Sequence, residues 1–101
     1  MMVVIFRSRL RTEHANEYVE MAQKIDALAE RMPGFLGIKS YATSDGERVS
    51  ISLFASPEAL AAWREHPEHR EAQRLGRERF YSEYHIEVCQ LERAYHFPAE
   101  Q

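Results

Sequence analysis

His69 and Gln73 lie four residues apart on a stripe that also carries Ala72, Gly76 and Phe80 at spacings of three and four. A helix that only packs on a core rarely mixes an imidazole and an amide into its apolar stripe, so a site is expected on this face. An imidazole with an unperturbed pKa near 6.5 can take a phenolic or carbon-bound proton at neutral pH, which makes His69 a candidate base. The competing reading of His69 is a half-exposed helix residue paired with Glu65 or Glu68. Trp63, the single tryptophan, either anchors a helix on a sheet or forms an aromatic wall against a planar ligand. His66 and His69 are spaced like a metal pair, but they supply only two ligands with no third nearby, and no metal site is expected. His14, His85 and His96 read as surface or sheet-edge residues. Cys89 reads as a small buried residue of an apolar strand, with no basic neighbour to activate it. The chain has no phosphate loop, Gly-rich nucleotide fingerprint or nucleophile elbow, and Glu71, Glu78 and Glu83 belong to a solvated, charge-alternating face.

Two short helices must position these groups. Ser56 is placed to cap the first, with Pro57 at its first helical position and Glu58 at the positive end of its dipole. Leu60 and Trp63 then share one face. Pro67 interrupts the pattern and starts the second helix, which puts His66 at its cap. Upstream, residues 3–10 read as a strand, with Val3, Val4, Ile5 and Phe6 apolar on both faces and so expected to be buried on both sides. Thr12 is placed to cap a long amphipathic helix whose stripe is Tyr18, Met21, Ala22, Ile25, Leu28, Ala29 and Met32, while Glu13, Glu17, Glu20, Lys24, Asp26 and Glu30 mostly face water. Pro33-Gly34 ends it. Residues 35–43 and 48–55 read as strands joined by a Ser44-Asp45-Gly46 hairpin. In the later one, Val49, Ile51 and Leu53 alternate with Ser50, Ser52 and Phe54. A fourth strand is expected over residues 84–97, so that residues 1–97 form one domain and 98–101 a short polar tail.

The order strand, helix, strand, strand, helices, strand is that of an α+β, ferredoxin-like split βαβ fold with a four-stranded antiparallel sheet. Helices cover one face of such a sheet. Apolar residues occupy both parities of the first two strands, so the other face is expected to pair with a second sheet in a homodimer. The chain carries a formal charge of −3 without a basic block, which argues against nucleic acid as a partner. One cysteine excludes an internal disulfide framework and fits a reducing compartment. The N-terminal apolar run is too short for a secretory segment and no run reaches membrane-spanning length, so a soluble cytoplasmic protein is expected.

Several stretches together resemble the antibiotic biosynthesis monooxygenase domain, a dimeric α/β-barrel family. They are Ile5-Phe6-Arg7-Ser8, Met32-Pro33-Gly34-Phe35-Leu36-Gly37, and Trp63 with His69, Gln73, Gly76 and Arg77. Tyr81, Tyr84 and the closing Glu92-Arg93-Ala94-Tyr95-His96-Phe97 extend the resemblance over nearly the whole chain. It implies a pocket in each subunit between helices and sheet, where an aromatic or quinol-type molecule is oxidised by dioxygen without a bound cofactor. By the same resemblance Trp63 shapes the pocket, His69 acts as base, and Ser8, Gln73 and Phe54 contact the substrate. Haem-degrading members of the family place an Asn on the first strand and a His ten residues after the Trp. Ser8 and Gln73 occupy those positions here, and an amide is not the nitrogen ligand haem takes, so haem degradation is disfavoured. The rival expectation is a non-catalytic dimeric module that binds a small molecule on the same scaffold.

Overall fold

A computed structural model describes residues 1–98 of the chain. Strand β1 (Met2–Leu10) leads into helix α1 (Ala15–Glu30), followed by the hairpin of β2 (Phe35–Ala42) and β3 (Arg48–Phe54). Two short helices, α2 (Pro57–Glu65) and α3 (Pro67–Leu75), and a π-helical segment, Gly76–Phe80, then deliver the chain into β4 (Tyr81–Gln90). The strands form one antiparallel sheet in the order β2-β3-β1-β4, the ferredoxin-like arrangement expected from the element order.

Successive side chains of a strand point to opposite faces, and the register sorts them. Met2, Val4, Phe6 and Ser8 of β1 share a face with Phe54, Ser52 and Ser50 of β3 and with Val88, Ile86 and Tyr84 of β4. The helices pack on this side. Leu28 and Ala29 of α1 and Leu60 and Trp63 of α2 close over Phe54, with Met2, Val4 and Phe35 around them. Val3 and Ile5, by contrast, share the opposite face with Val49, Ile51, Leu53 and Cys89. β3 therefore turns its serines toward the helices and its three aliphatic residues away from them.

Local chemistry explains most element boundaries. Ser56 caps α2 by accepting from the Ala59 N–H at 3.1 Å, and Pro57 opens the helix. The hairpin holds Gly46 at φ 92°, with Gly46 N–H donating to the Thr43 carbonyl and Thr43 N–H to that of Glu47. Hydrogen bonds from Thr43 and Arg9 hold the Asp45 carboxyl well below its usual range, so the turn acid stays ionised.

Four expectations need correction. Thr12 does not cap α1: the Arg11 N–H is tied to the Phe80 carbonyl at 2.8 Å, the chain turns through His14 at φ 61°, and the helix begins at Ala15 without a side-chain cap. The fourth strand begins at Tyr81 and ends at Gln90 rather than spanning residues 84–97, because its only neighbour, β1, provides no ladder beyond Met1. Cys89 is exposed, as is every β4 residue from His85 to Gln90 whichever face it lies on, because β4 is an edge strand that no helix covers along this stretch. Residues 3–6 are half-buried rather than buried on both sides, because that face has no second layer within the chain. Of the expected tail, residues 99–101 lie outside the described residues.

Gly34, at φ 84°, brings the end of α1 against α2: a Cβ there would lie 2.6 Å from the Ala59 Cβ. Its carbonyl also accepts from the Ala55 N–H at 2.8 Å. Left-handed backbone and overpacking each cost a side chain roughly 1–3 kcal/mol, so Gly34→Ala is expected to lower unfolding stability by about 2 kcal/mol or more in urea titrations.

Candidate functional site

Between the helices and the sheet lies a cavity of about 320 Å³, within the size range of small-molecule sites. Phe54, Ser50 and Ser52 of β3 and Val4 and Phe6 of β1 form its floor. Tyr18, Met21, Ala22, Ile25 and Asp26 of α1 form one wall. Trp63 of α2, His69 and Gln73 of α3, and Tyr81 and Tyr84 of β4 also line it. Four of the five expected site residues, Phe54, Trp63, His69 and Gln73, thus meet at one cavity. Ser8 does not line it. That serine is buried in β1, opposite Arg48 on one side and Tyr84 on the other.

The closest pairing in the site is the His69 ring stacked on Trp63, with centroids 4.1 Å apart and planes 17° from parallel. Pro67 makes this possible. The residue before a proline is driven out of helical backbone, and His66 accordingly sits at φ −61°, ψ 131°, ending α2 and capping α3. α3 then folds back so that His69 Nδ1 lies 3.1 Å from the Trp63 carbonyl oxygen. A carbonyl only accepts, so Nδ1 carries the proton and the lone pair is left on Nε2. The Gln73 amide donates to the Arg64 carbonyl at 3.3 Å, tying α3 to the last turn of α2; its nitrogen also lies 3.2 Å from His69 Nδ1, a contact between two N–H groups rather than a hydrogen bond. Neither Glu65 nor Glu68 forms an ion pair with His69 among the described residues.

Burial pushes the His69 pKa below its ordinary value of 6.5, against the opposing pull of the Trp63 carbonyl. The imidazole is therefore neutral at pH 7 and able to accept a proton at Nε2. Also in the lining, burial pushes the Tyr81 phenol far up, reinforced by Tyr18, so that Tyr81 stays protonated and is not a base. Phe6, Tyr18, Tyr81 and Tyr84 form an aromatic cluster with ring centroids 5.3–5.9 Å apart. Gly76 allows this cluster to close, since a Cβ there would lie 2.7 Å from the Tyr81 ring. Asp26 also lines the cavity, and desolvation raises its pKa.

Among the polar lining residues, Tyr18, Asp26, Ser50, Ser52, Arg64, Tyr81 and Tyr84 were not assigned to the site by sequence reasoning. Asp26 lies four residues from Ala22 and three from Ala29 on the α1 stripe, and an acid on that stripe was the available signal. The His66–His69 pair does not form a chelate, since His66 Nδ1 accepts from the Glu68 N–H and His69 Nδ1 donates to Trp63. Among the described residues no group of three or more His, Cys, Asp or Glu side chains is placed to hold a metal. A second depression, on the outer face of α3, is lined largely by charges that already neutralise one another: Arg74 with Glu71 and Glu78, Arg70 with Glu65.

The family model for antibiotic biosynthesis monooxygenases matches residues 1–75. An uncharacterised protein of Bacillus subtilis, YqjZ, is 37% identical over 90 residues, covering 89% of this chain and 78% of that protein. Among solved structures, the cofactor-independent oxygenase SnoaB from Streptomyces nogalater superposes with a TM-score of 0.79 at 14% identity, over 97% of each chain. Rv0793 from Mycobacterium tuberculosis superposes with a TM-score of 0.78 at 20% identity, over 93% of this chain and 98% of its own.

The depressed His69 pKa has a thermodynamic consequence. The unfolded chain binds a proton as pH falls below 6.5, while folded His69 resists until its own lower pKa is reached, so acidification removes stability across that window. Urea titrations from pH 7.5 down to 5 are expected to show this loss in the wild type. In His69→Gln the histidine-linked part is expected to be absent, and an NMR titration of the His69 ring is expected to have its midpoint below 6.5.

Proposed function

The chain belongs to the antibiotic biosynthesis monooxygenase family, and from that premise we propose that its cavity is the active site of a cofactor-independent monooxygenase. The substrate is an aromatic or quinol-type molecule and the oxidant dioxygen. The observation that carries this reading is the neutral, half-buried His69 of the cavity lining, stacked flat on Trp63 and left with Nε2 as its acceptor nitrogen. A planar phenol fits against the lining of Trp63, His69, Tyr81 and Tyr84, its oxygens within the polar surroundings of Ser50, Ser52 and Gln73. His69 takes a proton from the ring hydroxyl or an activated C–H, which leaves an electron-rich anion to reduce dioxygen. For an activated methylene, one oxygen atom enters as the new carbonyl and the other leaves as water. The two C–H bonds supply the electrons. Desolvation disfavours a lone imidazolium, so the proton that His69 accepts is held by the substrate anion paired with it.

The working unit of this proposal is a cytoplasmic homodimer. Val3, Ile5, Val49, Ile51 and Leu53 form a contiguous aliphatic patch on the sheet face away from the helices, and a monomer would leave that patch in water. A second copy of the same sheet is its natural cover.

Oxygen uptake with a panel of quinols and polycyclic phenols tests the activity. His69→Ala is expected to lower kcat by about 10²–10⁴-fold with an intact fold. Saturable ligand binding without oxygen uptake by the wild type would replace the oxygenase with the non-catalytic binding module. Leu53→Glu places a charge in the centre of the aliphatic patch. In sedimentation equilibrium it is expected to convert a dimer to a monomer with unchanged far-UV circular dichroism.

A further inference from the structure

The floor of the cavity is laid in rows across three strands. In one row Ser50, Phe6 and Ile86 stand side by side on β3, β1 and β4, and all three line the cavity. The next row on the same face, two residues along each strand and ~7 Å away, is Arg48, Ser8 and Tyr84. Tyr84 still lines the cavity, whereas Arg48 and Ser8 do not. Two polar side chains thus continue the floor of the site without any part in the chemistry described above.

Arg48 lacks a counterion. Among the described residues the half-buried arginines are Arg9, Arg48 and Arg79. Arg9 is paired with Asp45 and Glu83, and Arg79 with Glu17, but no carboxylate lies within ion-pair distance of Arg48. The acids around it are already taken. Its sequence neighbour Glu47 is bound by Arg7 of the opposite sheet face, Glu83 by Arg9, and Glu17 by Arg79. What the guanidinium does meet is the Tyr18 ring of the cavity wall, with its carbon 6.0 Å from the ring centroid. Its charge also reaches the Tyr81 phenol, where it opposes the upward push of burial. Beside it Ser8 is only 4% exposed, and the Ser8 hydroxyl bonds to no other side chain among the described residues. A half-buried guanidinium holds five N–H donors and a charge that burial penalises unless an acceptor meets it.

We propose that the Arg48–Ser8–Tyr84 row is a carboxylate subsite adjoining the cavity, so that the ligand class is a planar aromatic acid. The ring lies on the Phe6 and Ser50 row, and the carboxylate accepts from the Arg48 guanidinium with the Ser8 and Tyr84 hydroxyls beside it. The planar fork of an arginine matches the two oxygens of a carboxylate. One arginine balances one negative charge, which favours a carboxylate over a phosphate dianion. The selection is local, because the chain as a whole carries −3 and repels anions. Asp26, the acid of the cavity lining, is eight residues from Tyr18 on α1, about 12 Å along the helix axis. That exceeds the ~8 Å screening length at physiological salt, so Asp26 does not cancel Arg48. The subsite rests on the cavity being the binding site proposed above and is independent of whether the bound ring is oxidised.

The test uses the full chain and a matched pair of probes, para-hydroxybenzoate and its neutral, near-isosteric amide, para-hydroxybenzamide, titrated by calorimetry at neutral pH. The wild type is expected to bind the acid at least about tenfold more tightly than the amide. In Arg48→Gln that ratio is expected to fall to about one, and Arg48→Lys, which keeps the charge without the fork, is expected to lie between. Loss of packing alone would weaken both probes and leave the ratio as it was. A wild type that binds acid and amide alike would overturn the subsite and leave the cavity standing. A ratio that survives in Arg48→Gln would also overturn it, placing the carboxylate elsewhere, as at Arg64. Binding of neither probe would refute the cavity and the subsite together.

Discussion

The site depends on a backbone constraint at Pro67. Had α2 continued unbroken, His69 would follow Trp63 by six residues and project about 120° away around the helix axis. Proline forbids helical backbone at His66, the chain turns, and α3 returns the imidazole onto the indole at a centroid distance of 4.1 Å. From that one turn follow the protonation of Nδ1, the free lone pair on Nε2 and the burial that keeps the ring neutral. Gln73 stabilises the same arrangement through the Arg64 carbonyl, the last turn of α2. A base, an aromatic plane and an amide are thus fixed by backbone geometry, with little reliance on flexible contacts.

The sheet beneath them is inverted relative to a plain two-layer domain. An α+β protein with one solvated sheet face normally turns its aliphatic residues toward the helices. In β3 the serines face the helices and Val49, Ile51 and Leu53 face away. Ser50 and Ser52 form a polar cavity floor, and Ser50 is held by Ser40 on the neighbouring strand at 2.8 Å. A polar floor lowers the driving force for the helices to collapse onto it, which keeps the cavity open. The aliphatic face meanwhile concentrates apolar surface where a second layer can bury it. Site and assembly are two consequences of the same alternation.

Much of this was legible in the sequence because it rests on local rules. Proline and serine at the start of α2, Pro33-Gly34 after α1 and the Ser44-Asp45-Gly46 turn marked boundaries that the structure keeps to within a few residues. The His69–Gln73 stripe pointed to the cavity because polar groups on an apolar helix face need a reason. What was not legible depends on contacts distant in sequence. The start of α1 is set by Arg11 bonding to Phe80, which no pattern near Thr12 reveals. The end of β4 is set by the length of its neighbour, and the exposure of Cys89 by its place on an edge strand that the helices leave uncovered on both faces there. Ser8 shares the helix-facing parity of β1 but lies beyond the cavity, a distinction that alternation alone does not make.

Because Trp63 is the only tryptophan, its intrinsic fluorescence reports the candidate site without a label. The most direct measurement is titration of the wild type with a planar phenol while following that emission. A saturable change in Trp63 emission, weakened in the cavity variant Tyr81→Ala, is the expected result. Emission that stays constant while calorimetry shows the same phenol binding would place the ligand elsewhere and contradict the assignment of this cavity.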